Sequence, residues 1–244
     1  MSVSELLTQK YLALDRFTEL ILSSDVKDQV ASIILFGSVL KGDARTDSDI
    51  DILVFGFGDI RKLLETCAEI AFDIATESAE LVQPLIYSVY DLLYPRSHFI
   101  LRVIQEGREI FKMNEDEFKV NEMNGYLNMA QEYLEVAQNS LNEGKFRVAV
   151  DTAFNAAEVC TRALLRLKLE DIPASHGGVV NKFSELYVMT GLASKKIGRN
   201  LNMMMEFRSK ARYDVYALID ETSAKSAIEL AETMMELLKK LQSA

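Results

Sequence analysis

Residues 36–54 read FGSVLKGDARTDSDIDILV, and this stretch decides the fold of the first half of the chain. An apolar, β-rich run at 31–36 leads into it, and a second run at 50–55 closes it, which predicts strand, turn and strand. Gly37 and Ser38 follow the first strand directly. A short helical turn at this point would present backbone N–H groups and the Ser38 hydroxyl to a polyphosphate. Glycine at position 37 would let the backbone approach the phosphates closely.

Two carboxylates mark the start of the second strand. Asp49 and Asp51 are two residues apart, so both are expected on one face of the strand. Asp51 lies inside the apolar run, where an ionised carboxylate is costly without a partner. Paired carboxylates are hard oxygen ligands that suit Mg²⁺, and the ion can neutralise charge during phosphoryl or nucleotidyl transfer. The pattern therefore favours a site for a metal-bound nucleoside triphosphate over an ordinary turn.

The rest of the first half alternates between helix and strand signals. Apolar spacing predicts helices at 4–22, 59–78 and 97–106. Further strands are predicted at 81–87 and 109–112, and Pro84 places the first of these at a sheet edge or a bulge.

From about Asn121 the apolar period becomes helical throughout. Helices are predicted at 124–142, 145–169, 179–190, 194–214 and 222–242. The polar segment 113–123 predicts a linker. The expected fold class is α+β, with a mixed sheet and helices in a domain at 1–113 and an all-α helical bundle at 122–244.

Composition narrows the class of protein. The chain has 244 residues and a net charge of −10, and this balance argues against general nucleic-acid binding. No apolar run is long enough to span a membrane and no export signal is visible, so the sequence predicts a cytoplasmic protein without a membrane partner. Cys67 and Cys160 are expected to be buried thiols. One basic cluster is either a solvated helix face or an anion site; it comprises Lys195, Lys196, Arg199, Arg208, Lys210 and Arg212.

The first motif resembles the signature of the DNA polymerase β-like nucleotidyltransferase superfamily, in particular its minimal prokaryotic members, over about residues 20–112. The resemblance implies an ATP or other NTP substrate, Mg²⁺ or Mn²⁺ as cofactor, and nucleotidyl transfer to a hydroxyl. Lys41 and Arg45 would offset phosphate charge, or else lie in solvent. The residues that match the pattern are Gly37, Ser38, Gly42, Asp49 and Asp51.

One position departs from that family pattern. The family has a third carboxylate on a following strand, and here Gln83 occupies the corresponding position. Glu80 and Asp91 are nearby acids, but strand alternation puts Glu80 on the wrong face. An amide is no base and a weaker metal ligand, so the alternative reading is a degenerate nucleotide-binding regulatory module without transfer activity.

The second half resembles HEPN domains over about residues 122–242. The resemblance rests on several segments, among them 153–158, 175–179 and 207–213. HEPN domains often accompany minimal nucleotidyltransferases in pairs that look like toxin–antitoxin systems, in which the transferase can add AMP to a tyrosine of an RNase partner. The resemblance also implies a homodimer formed through the helical domain.

The residues expected for a HEPN RNase are missing. That activity uses an Arg and a His four to six residues apart, whereas neither His98 nor His176 has such an Arg upstream. Tyr213 stands where the His would be, so the sequence argues against this activity, and His176 is interpreted as a loop or capping residue. Arg208 and Arg212 remain as expected contacts for RNA or nucleotide phosphates. Tyr213, with Tyr216, is a candidate for nucleotidylation, and the acceptor is expected to be a protein or RNA hydroxyl.

Overall fold

A computed structural model describes residues 3–242, and the described residues divide into two units with the boundary between Asn121 and Glu122. The outer limits of the expected domains, residues 1 and 244, lie outside the described residues. Within 3–242, no helix is long and apolar enough to cross a bilayer.

The first unit is built on a mixed sheet. In the described chain its four strands have the order β3-β2-β1-β4. β1 runs antiparallel to both β2 and β4, whereas β2 and β3 are parallel, so β3 and β4 form the edges. Their bounds are Val30–Leu35 (β1), Ile50–Gly56 (β2), Val82–Ser88 (β3) and Arg108–Lys112 (β4).

Helices cover both faces of this sheet. One face packs on α1 and α3 and includes Ile33, Ile52 and Val54 in its core. The other face carries Leu53 and Phe55, which pack with α5. Burial on both sides explains why β2 reads as a continuous apolar run rather than an alternating one. The helices are α1 (Val3–Ser23), α2 (Gly37–Lys41), α3 (Ile60–Ser78), α4 (Val89–Leu93) and α5 (His98–Glu106).

Most predicted elements of this unit lie within a few residues of the observed ones. Pro84 lies in the edge strand β3, as predicted. The linker at 113–123 was a wrong prediction, because α6 begins at Glu115. The Asn114 side chain accepts a hydrogen bond from the Glu117 N–H at 2.9 Å, and the acidic first turn suits a helix N-terminus. A polar composition is therefore compatible with an exposed helix as well as with a linker.

The second unit is helical. α7 is its central helix and packs on α8, α9 and α10. Buried alanines along α7, such as Ala149, Ala153 and Ala157, allow the neighbouring helices to approach closely. A single π-helical turn at Ser184–Val188 follows α8. The first helix, α6 (Glu115–Asn142), begins before the boundary at 121/122 and continues into this unit. The others are α7 (Phe146–Arg166), α8 (His176–Phe183), α9 (Lys195–Tyr213) and α10 (Glu221–Gln242).

Candidate functional site

The turn from β1 into α2 lies directly against the carboxylate of Asp51. Gly37 has a φ of +77°, and a Cβ atom built on it would lie 2.2 Å from Oδ2 of Asp51. The Phe36 N–H donates to the Asp51 carbonyl at 3.0 Å, which fixes the start of the turn on β2. A side chain at position 37 would therefore meet both an unfavourable backbone conformation and the carboxylate.

The helical turn predicted after Gly37 is present as α2. It ends at Gly42, which has a φ of +75° and whose N–H donates to the carbonyls of Ser38 and Val39. The first N–H groups of a helix have no intrahelical acceptor, and in α2 these belong to Gly37, Ser38 and Val39. The first turn of α2 therefore offers hydrogen-bond donors next to the Asp51 carboxylate.

Asp49 and Asp51 are both partly exposed at the start of β2. Burial raises the pKa of Asp51 above its usual value, and the charge of Asp49 raises it further. The two carboxylates are thus close enough to repel each other, which is the arrangement that a divalent cation would relieve.

Gln83 is the register partner of Asp51 across the parallel β2–β3 pair. Paired residues on neighbouring strands point to the same face, so the amide stands beside the carboxylate, as the sequence predicted. Glu80 is buried and forms an ion pair with Lys10, with Oε2 and Nζ 2.7 Å apart. Asp91 lies in α4.

The donor set fits a metal that also binds phosphate. Among residues 3–242, no group of three or more His, Cys, Asp or Glu side chains is arranged to hold an ion. Asp49 and Asp51 alone would leave most positions of an octahedral Mg²⁺ to water and triphosphate oxygens, which is how Mg²⁺ is usually bound with nucleotides.

Lys41 and Arg45 are exposed near this turn. Lys41 lines a cavity of about 420 Å³ between α2 and α5, together with Gly37, Phe99 and Arg102. Arg45 belongs to a tight turn in which its N–H donates to Ser48 Oγ at 2.8 Å. Both side chains are free to reach toward a polyphosphate, although neither is fixed on Asp49 or Asp51 by a contact within the described residues.

The helical unit contains a separate polar network. Arg208 is 9% exposed, and its Nε donates to Asp151 at 3.1 Å. Its Nη1 donates to Nε2 of His176 at 3.3 Å, and Nδ1 of His176 lies 2.5 Å from Glu158. Because a guanidinium only donates, Nε2 accepts and the imidazole proton belongs on Nδ1. Arg212 is more exposed and stands 3.8 Å from Asp151.

This network changes the interpretation of His176. The residue opens α8 and joins two helices through Glu158 and Arg208, so it does more than cap a loop. An Arg/His pair is therefore formed by residues 32 positions apart, which a search for a local motif misses. Asp151, already bonded to Arg208, balances part of its charge.

The sequence interpretation also missed Lys10, Asp151 and Glu158. Lys10 lies on the apolar face of α1, four residues from both Leu6 and Leu14, and Glu158 lies in the apolar run of α7. A charge at a helical position that should be apolar was the available signal for Lys10 and Glu158.

Side-chain exposure divides the basic cluster of α9 into two groups. Arg208 is buried, whereas its five other members are exposed on α9. Tyr213 and Tyr216 are 72% and 91% exposed. Arg147 holds the end of α9 and the segment after it by donating to the carbonyls of Lys210, Ala211, Asp214 and Ala217. Met204 belongs to the hydrophobic core of the helical unit, whereas the side chain of the neighbouring Met203 is exposed.

Two family models match the chain. Residues 19–116 match the model described as polymerase beta, nucleotidyltransferase, and residues 123–241 match the HEPN domain. A relative from Methanocaldococcus jannaschii, provisionally named a protein adenylyltransferase, is 30% identical over 96 residues, which are 37% of this chain and 87% of the relative.

A solved structure was also matched. It is the spectinomycin adenyltransferase AAD(9) from Enterococcus faecialis with ATP and spectinomycin, with 12% identity and a TM-score of 0.31 over 94% of this chain and 99% of that one.

Proposed function

The chain belongs to the polymerase β nucleotidyltransferase family through residues 19–116 and carries a HEPN domain at 123–241, and on that premise we propose that it is a Mg²⁺-dependent nucleotidyltransferase. The substrate is ATP or another nucleoside triphosphate. The observation that carries the proposal is the contact of Gly37 with Asp51, because it brings the donor-rich turn of α2 and the paired carboxylates into one site.

The roles of the residues follow from this arrangement. The N–H groups at the start of α2 and the Ser38 hydroxyl would bind phosphate oxygens, while Asp49 and Asp51 would hold the metal. Mg²⁺ held by these two carboxylates would neutralise charge on the phosphates and polarise the α-phosphorus. An acceptor hydroxyl attacks that phosphorus, gives its proton to solvent water, and forms a new P–O bond as the bond to pyrophosphate breaks.

Lys41, Gly42 and Arg45 have supporting roles. The two cations would offset negative charge on the triphosphate, and their exposure leaves them free to do so. Gly42 closes α2 in a left-handed conformation, so the chain can turn back toward Arg45 and the Asp49 segment.

We place the acceptor among protein or RNA hydroxyls. Tyr213 and Tyr216 are exposed phenols and suit a protein acceptor in a second copy of the chain. Arg212 and the buried Arg208 both lie near Asp151, and the pair suits contact with RNA or nucleotide phosphates. The proposal includes a homodimer formed through the helical domain and a toxin–antitoxin-like pairing of the two units.

Gln83 favours a second candidate function. With an amide beside Asp51, the site has no third carboxylate among residues 3–242 to help bind metal or activate the acceptor. A site of this kind would bind nucleotide and regulate a partner without transferring a group.

Labelling distinguishes the two functions. The full chain is incubated with α-labelled ATP and Mg²⁺, alone and with cellular RNA, beside the Asp49→Ala/Asp51→Ala variant. Label on protein or RNA that is absent with the variant supports transfer and identifies the acceptor class. Binding of ATP by calorimetry without any label in either arm would support the regulatory module instead.

A further inference from the structure

The first unit contains a buried lysine that the site described above does not use. Lys10 of α1 has no exposed surface. Its ammonium group donates to the Ser48 carbonyl at 2.6 Å and to Glu80 Oε2 at 2.7 Å. A buried ammonium is costly to desolvate and is tolerated only when it is paired and hydrogen-bonded, so both contacts are needed to keep it there.

The first contact holds the segment that leads into Asp49. Ser48 is the residue directly before Asp49, and it also closes a tight turn with Arg45. The Ser48 N–H donates to the Arg45 carbonyl at 3.1 Å, and the Arg45 N–H donates to Ser48 Oγ at 2.8 Å. The lysine therefore fixes the last peptide before the carboxylate, in a segment outside the regular sheet.

The second contact ties the same lysine to the start of β3. Glu80 precedes β3 by two residues, and the next residue, Leu81, accepts a hydrogen bond from the Ile50 N–H at 2.8 Å. Lys10 thus links the beginnings of β2 and β3, the end of the strand pair at which Asp51 and Gln83 are paired. Lys10 also engages Glu80 in an ion pair. Glu80 is the acid nearest in sequence to Gln83, the position at which the family pattern has its third carboxylate.

The neighbouring residue of α1 contacts the other part of the site. The Tyr11 hydroxyl donates to the Val39 carbonyl of α2 at 3.4 Å. One turn of α1 therefore contacts the backbone of both segments, α2 and the approach to Asp49, that the proposed function assigns to phosphate and metal.

We propose that Lys10 is a positioning residue that holds the Ser48 peptide so that Asp49 and Asp51 keep the spacing that a divalent cation requires. The inference rests on the proposed function for its catalytic consequence. Its structural consequence, an Asp49 segment that is held in place for metal binding, is measurable without any transfer reaction.

The test separates positioning from stability by using two variants and a control. Lys10→Met leaves Glu80 buried without its partner, so the Tm should fall by roughly 10 °C. Lys10→Met/Glu80→Met removes both charges and should recover most of that loss, while the Ser48 carbonyl still lacks its donor. Arg16→Met, at an exposed position of the same helix, is the matched control.

Three measurements are made on the full-length chain: the affinity for Mn²⁺, hydrogen exchange in residues 45–51, and the steady-state kinetics (KM and kcat) of transfer with ATP. In the double variant we expect roughly tenfold weaker Mn²⁺ binding and faster exchange at 45–51, with a similar loss in kcat, despite the recovered Tm. Arg16→Met should match the wild type in all three.

Two results would overturn the inference. If the double variant regains Mn²⁺ affinity and exchange protection together with its Tm, Lys10 has only a structural role. If both of these quantities are unchanged in Lys10→Met itself, Lys10 does not position the site. A wild-type chain that binds Mn²⁺ but never transfers a nucleotide would contradict the proposed function alone, because the first two measurements would still decide the role of Lys10.

Discussion

Gly37 and Asp51 are packed so closely that a Cβ atom on Gly37 would lie 2.2 Å from the Asp51 carboxylate. The phosphate-binding turn and the metal-binding strand of the proposed site are therefore in direct contact, and a change on one side must disturb the other. Gly42 has almost the same φ, +75° against +77°, but nothing lies within 4 Å of its Cβ position. Substitutions at the two glycines therefore distinguish the cost of a left-handed backbone, which both positions share, from the cost of the steric contact, which only Gly37 has.

Gly37→Ala is expected to weaken ATP binding at least tenfold and to destabilise the first unit. Gly42→Ala carries only the cost of a left-handed alanine, about 1–2 kcal/mol, and should keep most of the affinity for ATP. Calorimetric titration of both variants with ATP and Mg²⁺ checks this. Equal losses in the two variants would mean that the contact with Asp51 is unimportant.

Asp51→Asn is expected to raise the Tm of the metal-free chain at pH 7 while lowering transfer by about 100-fold or more. Burial and the charge of Asp49 raise the pKa of Asp51 in the folded state. Asp51 therefore contributes to stability at pH values below its pKa in the unfolded chain, and this contribution is lost as the pH rises through its pKa in the folded chain. The Tm gain of the variant should therefore disappear at pH values below about 4. Thermal unfolding of both proteins from pH 3 to 8 measures this difference in Tm, and a variant less stable than the wild type at pH 7 would contradict the argument.

Gln83→Asp is expected to add the third carboxylate next to Asp51. The extra negative charge should lower the Tm without metal and strengthen Mn²⁺ binding, because repulsion among the acids is relieved by the cation. Gln83→Asn keeps a neutral amide and is the control. If neither Mn²⁺ affinity nor transfer rises in the aspartate variant, position 83 does not belong to the metal site.

Arg208→Ala is expected to destabilise the helical unit by about 2–3 kcal/mol, because it leaves the Asp151 carboxylate without its nearest partner and Nε2 of His176 without its donor. Arg212→Ala removes a more exposed guanidinium at 3.8 Å from the same carboxylate and should cost less than about 0.5 kcal/mol. Urea unfolding followed by circular dichroism compares them. Similar costs for the two arginines would show that the network contributes little.

Both cysteines are expected to be unreactive in the folded chain. Burial raises the pKa of Cys67 and of Cys160 to about 12, so almost no thiolate is present at pH 8. A thiol reagent such as Ellman's should label both only after unfolding in guanidinium. Rapid labelling of the native chain would contradict the buried environment.

The sequence predicted those parts of the fold that depend on local pattern. The run from Phe36 to Val54 was sufficient for strand, turn and strand. The family resemblance placed Gln83 at the position of the third carboxylate, and the structure pairs Gln83 with Asp51. Long-range pairs were not predictable in this way. Lys10 and Glu80 are 70 residues apart, and His176 and Arg208 are 32 apart, so only the tertiary fold brings each pair together. The helix over 115–123 was missed because an exposed helix and a linker share the same polar composition.

The most direct test of the account is a parallel incubation of the full-length chain with α-labelled and γ-labelled ATP in the presence of Mg²⁺. Nucleotidyl transfer at Asp49 and Asp51 predicts that the acceptor gains label only from the α position, with release of pyrophosphate, and that Asp49→Asn abolishes it. Label from the γ position would indicate phosphoryl transfer, and no label from either nucleotide despite ATP binding would contradict transfer activity.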